Sequence, residues 1–129
     1  MAGWYLAEGS APAGEAEVAV TRVWKIVEVN GAQVEGEPEI RFNADGGFSG
    51  STGCNRFQGK GALDAGRFMI SGPMATTRMA CPGDQLAAQE RYFLEVLESG
   101  PEIEFNPLAD EMLLKNSGEG LSMRLVRAE

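Results

Sequence analysis

Cys54 and Cys81 are the only thiols in the chain, and no histidine occurs anywhere in its 129 residues. Those two facts decide most of the chemistry open to it. Without imidazole, neither a Ser-His-Asp triad nor a Cys-His nucleophile can be assembled. A zinc cage of the usual Cys/His kind is excluded too, because two thiolates do not complete a tetrahedron. An all-carboxylate site would need an Asp-rich loop of EF-hand spacing, and none is present. No P-loop or dinucleotide fingerprint appears, so no cofactor is expected. The many Glu residues read as solvated and not as a glycosidase pair. Met69, Met74, Met79, Met112 and Met123 read as core filling and not as a copper site. No catalytic residue and no metal ligand is assigned.

Three states are open to the two cysteines: a disulfide, two buried thiols, or a redox pair. A thioredoxin-like pair would be Cys-x-x-Cys at a helix start, whereas these lie far apart in sequence. Cys81 does precede a predicted helix, whose N-terminus would favour a thiolate, but nothing nearby acts as a base. Each cysteine sits in a turn-like stretch containing Gly or Pro, which favours the disulfide over simple burial. A bridge closing that loop would contribute about 3–4 kcal/mol in the chain-entropy model. It would also imply an oxidising compartment such as a bacterial periplasm.

Two unusual segments flank the cysteines: Phe48–Gly59 (FSGSTGCNRFQG) and Pro73–Cys81 (PMATTRMAC). Asn55 can satisfy backbone groups in a turn. Arg56 and Arg78 can each fork onto a carboxylate or several carbonyls, and Thr76 and Thr77 offer hydroxyls for the same work. In one reading this cluster locks two long loops together around a disulfide. In the other, Arg56, Arg78, Thr76 and Thr77 line a pocket for a small anion or a peptide carboxylate.

The elements that must position these residues are mostly strands. Val18–Val29 alternates, with Trp24 and Ile26 on one face, and Asn30-Gly31 marks a turn. Glu39–Asn43 and Phe48–Ser51 flank Ala44-Asp45-Gly46-Gly47 as a hairpin. Arg56–Leu63 and Arg67–Ile70 form a second one around Asp64-Ala65-Gly66. Glu102–Phe105, Glu111–Lys115 and Leu121–Val126 are further strands, the last two joined by a turn at Asn116–Gly120. One segment, Gln85–Ser99, is helical. Leu86, Ala87, Glu90, Phe93, Leu94 and Leu97 recur at helical spacing, Asp84 is the expected N-cap, and Gly100-Pro101 ends the helix. Leu86, Phe93 and Leu97 should face the sheet, and Glu95 and Glu98 water. Residues 1–17 read as a tail and linker, with the folded domain over 18–129. The expected fold is mainly β (α+β): an antiparallel curled sheet or small β-barrel of about seven or eight strands with one covering α-helix.

With 19 acidic against 11 basic residues, the formal net charge is −8. That balance argues against binding nucleic acid, which needs clustered Lys and Arg, and against docking on an anionic membrane. It suits a monomer kept soluble by charge. No run approaches the ~20 apolar residues that span a bilayer. Met1–Leu6 lacks the basic region of a signal peptide, so any targeting segment is expected upstream of this sequence.

Around the cysteines, GCNRF (Cys54-Asn55-Arg56-Phe57) and MATTRMAC (Thr76-Thr77-Arg78-Met79-Ala80-Cys81) resemble the META/HslJ-like family of bacterial envelope proteins. The frame agrees: an opening Trp24, a F-x-x-D-G-x-F-S-G hairpin and a Q-E-x-x-F helix. The similarity runs from about Val20 to the C-terminus. It implies a compact β-barrel-like α+β domain, periplasmic or outer-membrane-associated, of a family linked to heat shock and novobiocin resistance. It carries over no molecular activity. The expected role is therefore a non-enzymatic envelope domain, stress-related or partner-binding. The alternative is a carrier holding a small ligand, anionic or not, or a peptide in a barrel-mouth pocket.

Overall fold

The computed structural model describes residues 5–6, 22–43, 45–106, 108 and 110–128. The alternating segments form ten strands: β1 (Tyr5–Leu6), β2 (Val23–Val29), β3 (Ala32–Gln33), β4 (Glu39–Phe42), β5 (Gly47–Ser51), β6 (Arg56–Asp64), β7 (Arg67–Thr76), β8 (Glu102–Asn106), β9 (Glu111–Asn116) and β10 (Leu121–Arg127). The helix, α1, covers Asp84–Glu98. Eight strands close on themselves in the order β2-β4-β5-β6-β7-β8-β9-β10, every neighbour antiparallel. β3 adds to β2, and β1 adds to β8. The described residues thus form a closed antiparallel barrel with one α-helix, and closure removes most unpaired edges.

Inward alternation fills this barrel. Trp24, Ile26 and Val29 of β2, Ile40 and Phe42 of β4, and Phe48 of β5 are all buried. So are Ile103, Phe105, Met112, Leu114, Met123 and Leu125 from the three closing strands. Aromatic rings run through the core in sequence: Phe42–Phe68 at 5.1 Å, Phe68–Phe48 at 5.2 Å, Phe48–Phe57 at 6.1 Å and Phe57–Phe93 at 5.3 Å between centroids. The first two are edge-on contacts, each worth about 1 kcal/mol beyond the area buried. Phe93 belongs to α1, so the stack ties the helix to the sheet. α1 touches β2, β7, β9 and β10, strands from both sides of the barrel, and so stoppers one end. Its buried residues are Leu86, Gln89, Phe93, Val96 and Leu97, while Glu95 and Glu98 are exposed.

Three details differ from the sequence reading. Gly83 (φ 86°) is the N-cap and Asp84 is the first helical residue, where its charge complements the helix dipole without a capping hydrogen bond. β7 runs to Thr76 instead of ending at Ile70, because it stays paired with β6 across a register shift between Gln58 and Lys60. The strand read from Val18 is described from Val23, and the tail and linker lie outside the described residues except for Tyr5–Leu6.

Candidate functional site

The two motifs meet where β5 gives way to β6, at the N-terminal end of α1. Cys54 and Cys81 are joined by a disulfide, 27 residues apart in sequence. Just before Cys54, Thr52-Gly53 makes a tight turn. The Thr52 backbone N–H donates to the Asn55 carbonyl at 2.9 Å, and the Thr52 hydroxyl accepts from the Asn55 and Cys54 backbone N–H groups. Gly53 takes φ +97°, and a Cβ there would lie 2.8 Å from Gln89 Nε2 and 2.9 Å from the Glu35 carbonyl. Glycine is needed at that position on both counts.

Asn55, only 1% exposed, is the hub. Its Oδ1 accepts from the Thr77 hydroxyl at 2.9 Å and from the Met79 backbone N–H at 2.7 Å. Its Nδ2 donates to the Met79 carbonyl at 3.0 Å and to Glu90 Oε2 at 2.9 Å. All four hydrogen-bonding positions of the amide are used. Asn55 thereby stitches the Thr77–Met79 segment to the β5–β6 turn and both to α1. The Thr52 hydroxyl donates to the same Glu90 carboxylate at 2.8 Å. One helical step away, Gln89 accepts from the Glu35 N–H at 2.7 Å and donates to the Glu35 and Thr52 carbonyls at 3.0 and 2.8 Å. A buried polar side chain is costly unless every group finds a partner, and here each does.

The remaining motif residues turn outward. The Arg56 backbone N–H donates to the Thr77 hydroxyl, and the Arg56 carbonyl accepts from the Thr77 N–H, both at 2.9 Å. Its guanidinium is exposed. Arg56, Thr76 and Thr77 line an open concavity of about 420 Å³ whose other walls include Ser49, Gln58 and Ala75. Arg78 is exposed and is not among the residues lining it. The structure therefore separates the motif residues: the buried Asn55 amide, the half-buried Cys54–Cys81 bridge and the Thr77 hydroxyl form a lock, while the Arg56 side chain belongs to an outer surface.

Thr52, Gln89 and Glu90 carry as much of the lock as Asn55, yet residue-level reasoning did not single them out as site residues. The available signal was polar residues at helical positions whose apolar neighbours, Leu86, Phe93 and Leu97, are buried. As for metal chemistry, the sulfurs of Cys54 and Cys81 and a carboxylate oxygen of Glu90 lie within 4.8 Å of one another. Bonded to each other, however, the sulfurs are not thiolate ligands.

Known proteins resemble the chain in sequence and in fold. The chain is 34% identical over 100 residues to heat shock protein HslJ of Escherichia coli (strain K12), covering 75% of this chain and 69% of that protein. A protein solved by NMR superposes with a TM-score of 0.70 at 29% identity, covering 84% of this chain and 91% of its own. Two more distant structures share the fold. One, from Burkholderia xenovorans, has a TM-score of 0.67 at 20% identity, with 94% of each chain covered. The other, a DUF4847 family protein from Bacteroides vulgatus ATCC 8482, has a TM-score of 0.61 at 18% identity, covering 88% of this chain and 96% of its own. The META domain family model matches residues 16–129, nearly the whole chain, and the protein belongs to the META domain family.

Proposed function

We propose that this META domain is a non-enzymatic binding module of the bacterial envelope, serving under stress. In this role the two motifs are a structural lock that keeps a small barrel folded. The observation that carries the reading is that the motif chemistry is spent internally: the thiols are bonded to each other, and the Asn55 amide makes four hydrogen bonds within the chain. A catalytic group must be available to substrate, and these are committed to backbone and helix. The disulfide supports an oxidising compartment. The similarity to a protein named for heat shock supports the stress role.

Two experiments test it. In cells carrying this protein, a deletion strain should lose fitness at raised temperature and regain it from a plasmid copy. Equal growth with and without the gene would remove the stress role. Purified protein should leave generic ester, glycoside and peptide substrates intact. Turnover lost on Arg78→Ala would overturn the non-enzymatic reading.

A further inference from the structure

The outer face of β4–β7 gathers positive charge around a shallow basin. Strand register places Arg41, Ser49, Gln58 and Ala75 in one row across four strands. Alternation points that row outward, since Ile40, Phe42, Phe48 and Phe57 are buried beneath it. The 420 Å³ concavity beside Arg56 and a second of about 460 Å³ beside Lys60 share Ser49, Gln58 and Ala75 as a common floor. Ser49 and Ala75 have short side chains, whereas Arg56 and Lys60 beside them are long.

Arg41, Arg56 and Lys60 are all exposed, and among the described residues none has a carboxylate within ion-pairing distance. Other cations are instead neutralised: Arg67 at the start of β7 by Glu102, Lys115 on β9 by Glu104, and Arg124 on β10 by Glu28 and Glu111. Acidic residues on the basin's own elements include Glu39, two residues before Arg41 on β4 and in register with Arg56 two strands away, and Asp45 in the β4–β5 turn. Asp45 is occupied with the Gly47 backbone N–H at 2.9 Å.

With about 3.4 Å per residue and about 4.8 Å between strands, Arg56 and Lys60 stand roughly 14 Å apart along β6, and Arg41, in register with Gln58 between them, lies roughly 12 Å from each across two strands. Long side chains from three sides can therefore converge over Gln58. The lock described above holds the Arg56 backbone at both its N–H and its carbonyl, which fixes one corner of the triangle.

We infer that this basin binds a small soluble ligand bearing two or more oxyanion groups, held by Arg41, Arg56 and Lys60 over Ser49 and Gln58. The ligand is small because the whole chain carries −8, so a polyanion longer than the basin would run onto repelling surface. Its charge is multiple because three separate cations on an exposed face gain little from one monovalent ion. The inference gives the proposed binding role a place and a ligand class, and rests on that role only in implying no turnover.

The test is amide NMR titration of the full chain with pyrophosphate and, separately, citrate at constant ionic strength. The expected result is saturable shifts centred on Ser49, Gln58 and Ala75. The combined Arg41→Gln, Arg56→Gln, Lys60→Gln variant should weaken binding at least tenfold. Gln58→Glu, which puts a carboxylate in the basin, should do the same in an otherwise native chain. Arg91→Gln, on α1, should leave it unchanged. Tighter pyrophosphate would assign a phosphate-bearing ligand, and tighter citrate a polycarboxylate. Linear, unsaturated shifts with both probes would overturn the site, as would equal weakening by Arg91→Gln. Binding with hydrolysis of pyrophosphate would uphold the site and refute the non-enzymatic role instead.

Discussion

At Asn55, four hydrogen bonds converge on one side chain with almost no exposure, so small chemical changes there have large consequences. Asn55→Asp keeps the shape but replaces the donating nitrogen with an oxygen facing Glu90. It should cost about 3 kcal/mol at neutral pH, because a donor is lost and two carboxylates are brought together. In the folded variant a proton shared between them is held more tightly than in the unfolded chain. The missing stability is therefore regained below about pH 4, the ordinary carboxylate range, and lost as pH rises. Urea unfolding of both proteins across that range checks the sign; a loss independent of pH would refute the contact with Glu90. Gly53→Ala should also destabilise, by about 2 kcal/mol or more, since the left-handed backbone and the contacts to Gln89 and Glu35 both resist a Cβ. A denaturation midpoint equal to wild type would contradict the turn geometry.

At the scale of elements, the alternation of Trp24 with Ile26 and of Ile40 with Phe42 was enough to place β2 and β4, and the β4–β5 and β6–β7 hairpins followed from Asp45-Gly46-Gly47 and Ala65-Gly66. These signals are local, two residues or one turn in range. Closure of the barrel is not local. β7 and β8 share one register pair, Arg67 with Glu102, flanked by backbone bonds from Phe68 to Pro101 and from Ile103 to Gly66. No periodicity announces such a seam. The lock was half legible for the same reason: Asn55 and the cysteines stand in unusual motifs, whereas Glu90 and Gln89 look like ordinary helix residues until α1 is packed against the Thr52 turn. The Arg67 guanidinium donates to the Gly100 carbonyl at 2.9 Å and pairs with Glu102 at 3.5 Å, clipping the seam from outside. Arg67→Ala should therefore speed hydrogen exchange at the Phe68 and Ile103 amides more than at the Met123 amide in β10. Uniform acceleration, or none, would contradict a weak seam at this point. Across the next pair of strands, the Lys115 ammonium donates to Glu104 at 2.8 Å, and that bond raises its pKa above the ordinary lysine value. The pair's contribution is full below about pH 10.4 and fades as pH rises through the higher folded-state value. The stability gap between wild type and Lys115→Met should accordingly narrow in strongly alkaline buffer; a gap constant across that range would rule the pair out as its source.

For the whole molecule, a barrel filled by one aromatic core and stoppered by one helix is a small fold, and cross-linking its loops matters correspondingly more. The Cys54–Cys81 bridge closes a loop of 27-residue separation and restrains the unfolded chain by about 3–4 kcal/mol. Loss of the bridge should also loosen the Thr77–Met79 segment and, through Asn55, the start of α1. The lock, the oxidising compartment and the non-enzymatic reading all stand on that bond being present in the protein as cells make it. The most direct test is the intact mass of protein taken from its native host, alkylated under denaturing conditions with and without prior reduction. The account predicts no alkyl groups before reduction and two after it. Two groups added without reductant would show free thiols, and the lock, the envelope location and the spent chemistry of the motifs would fall together.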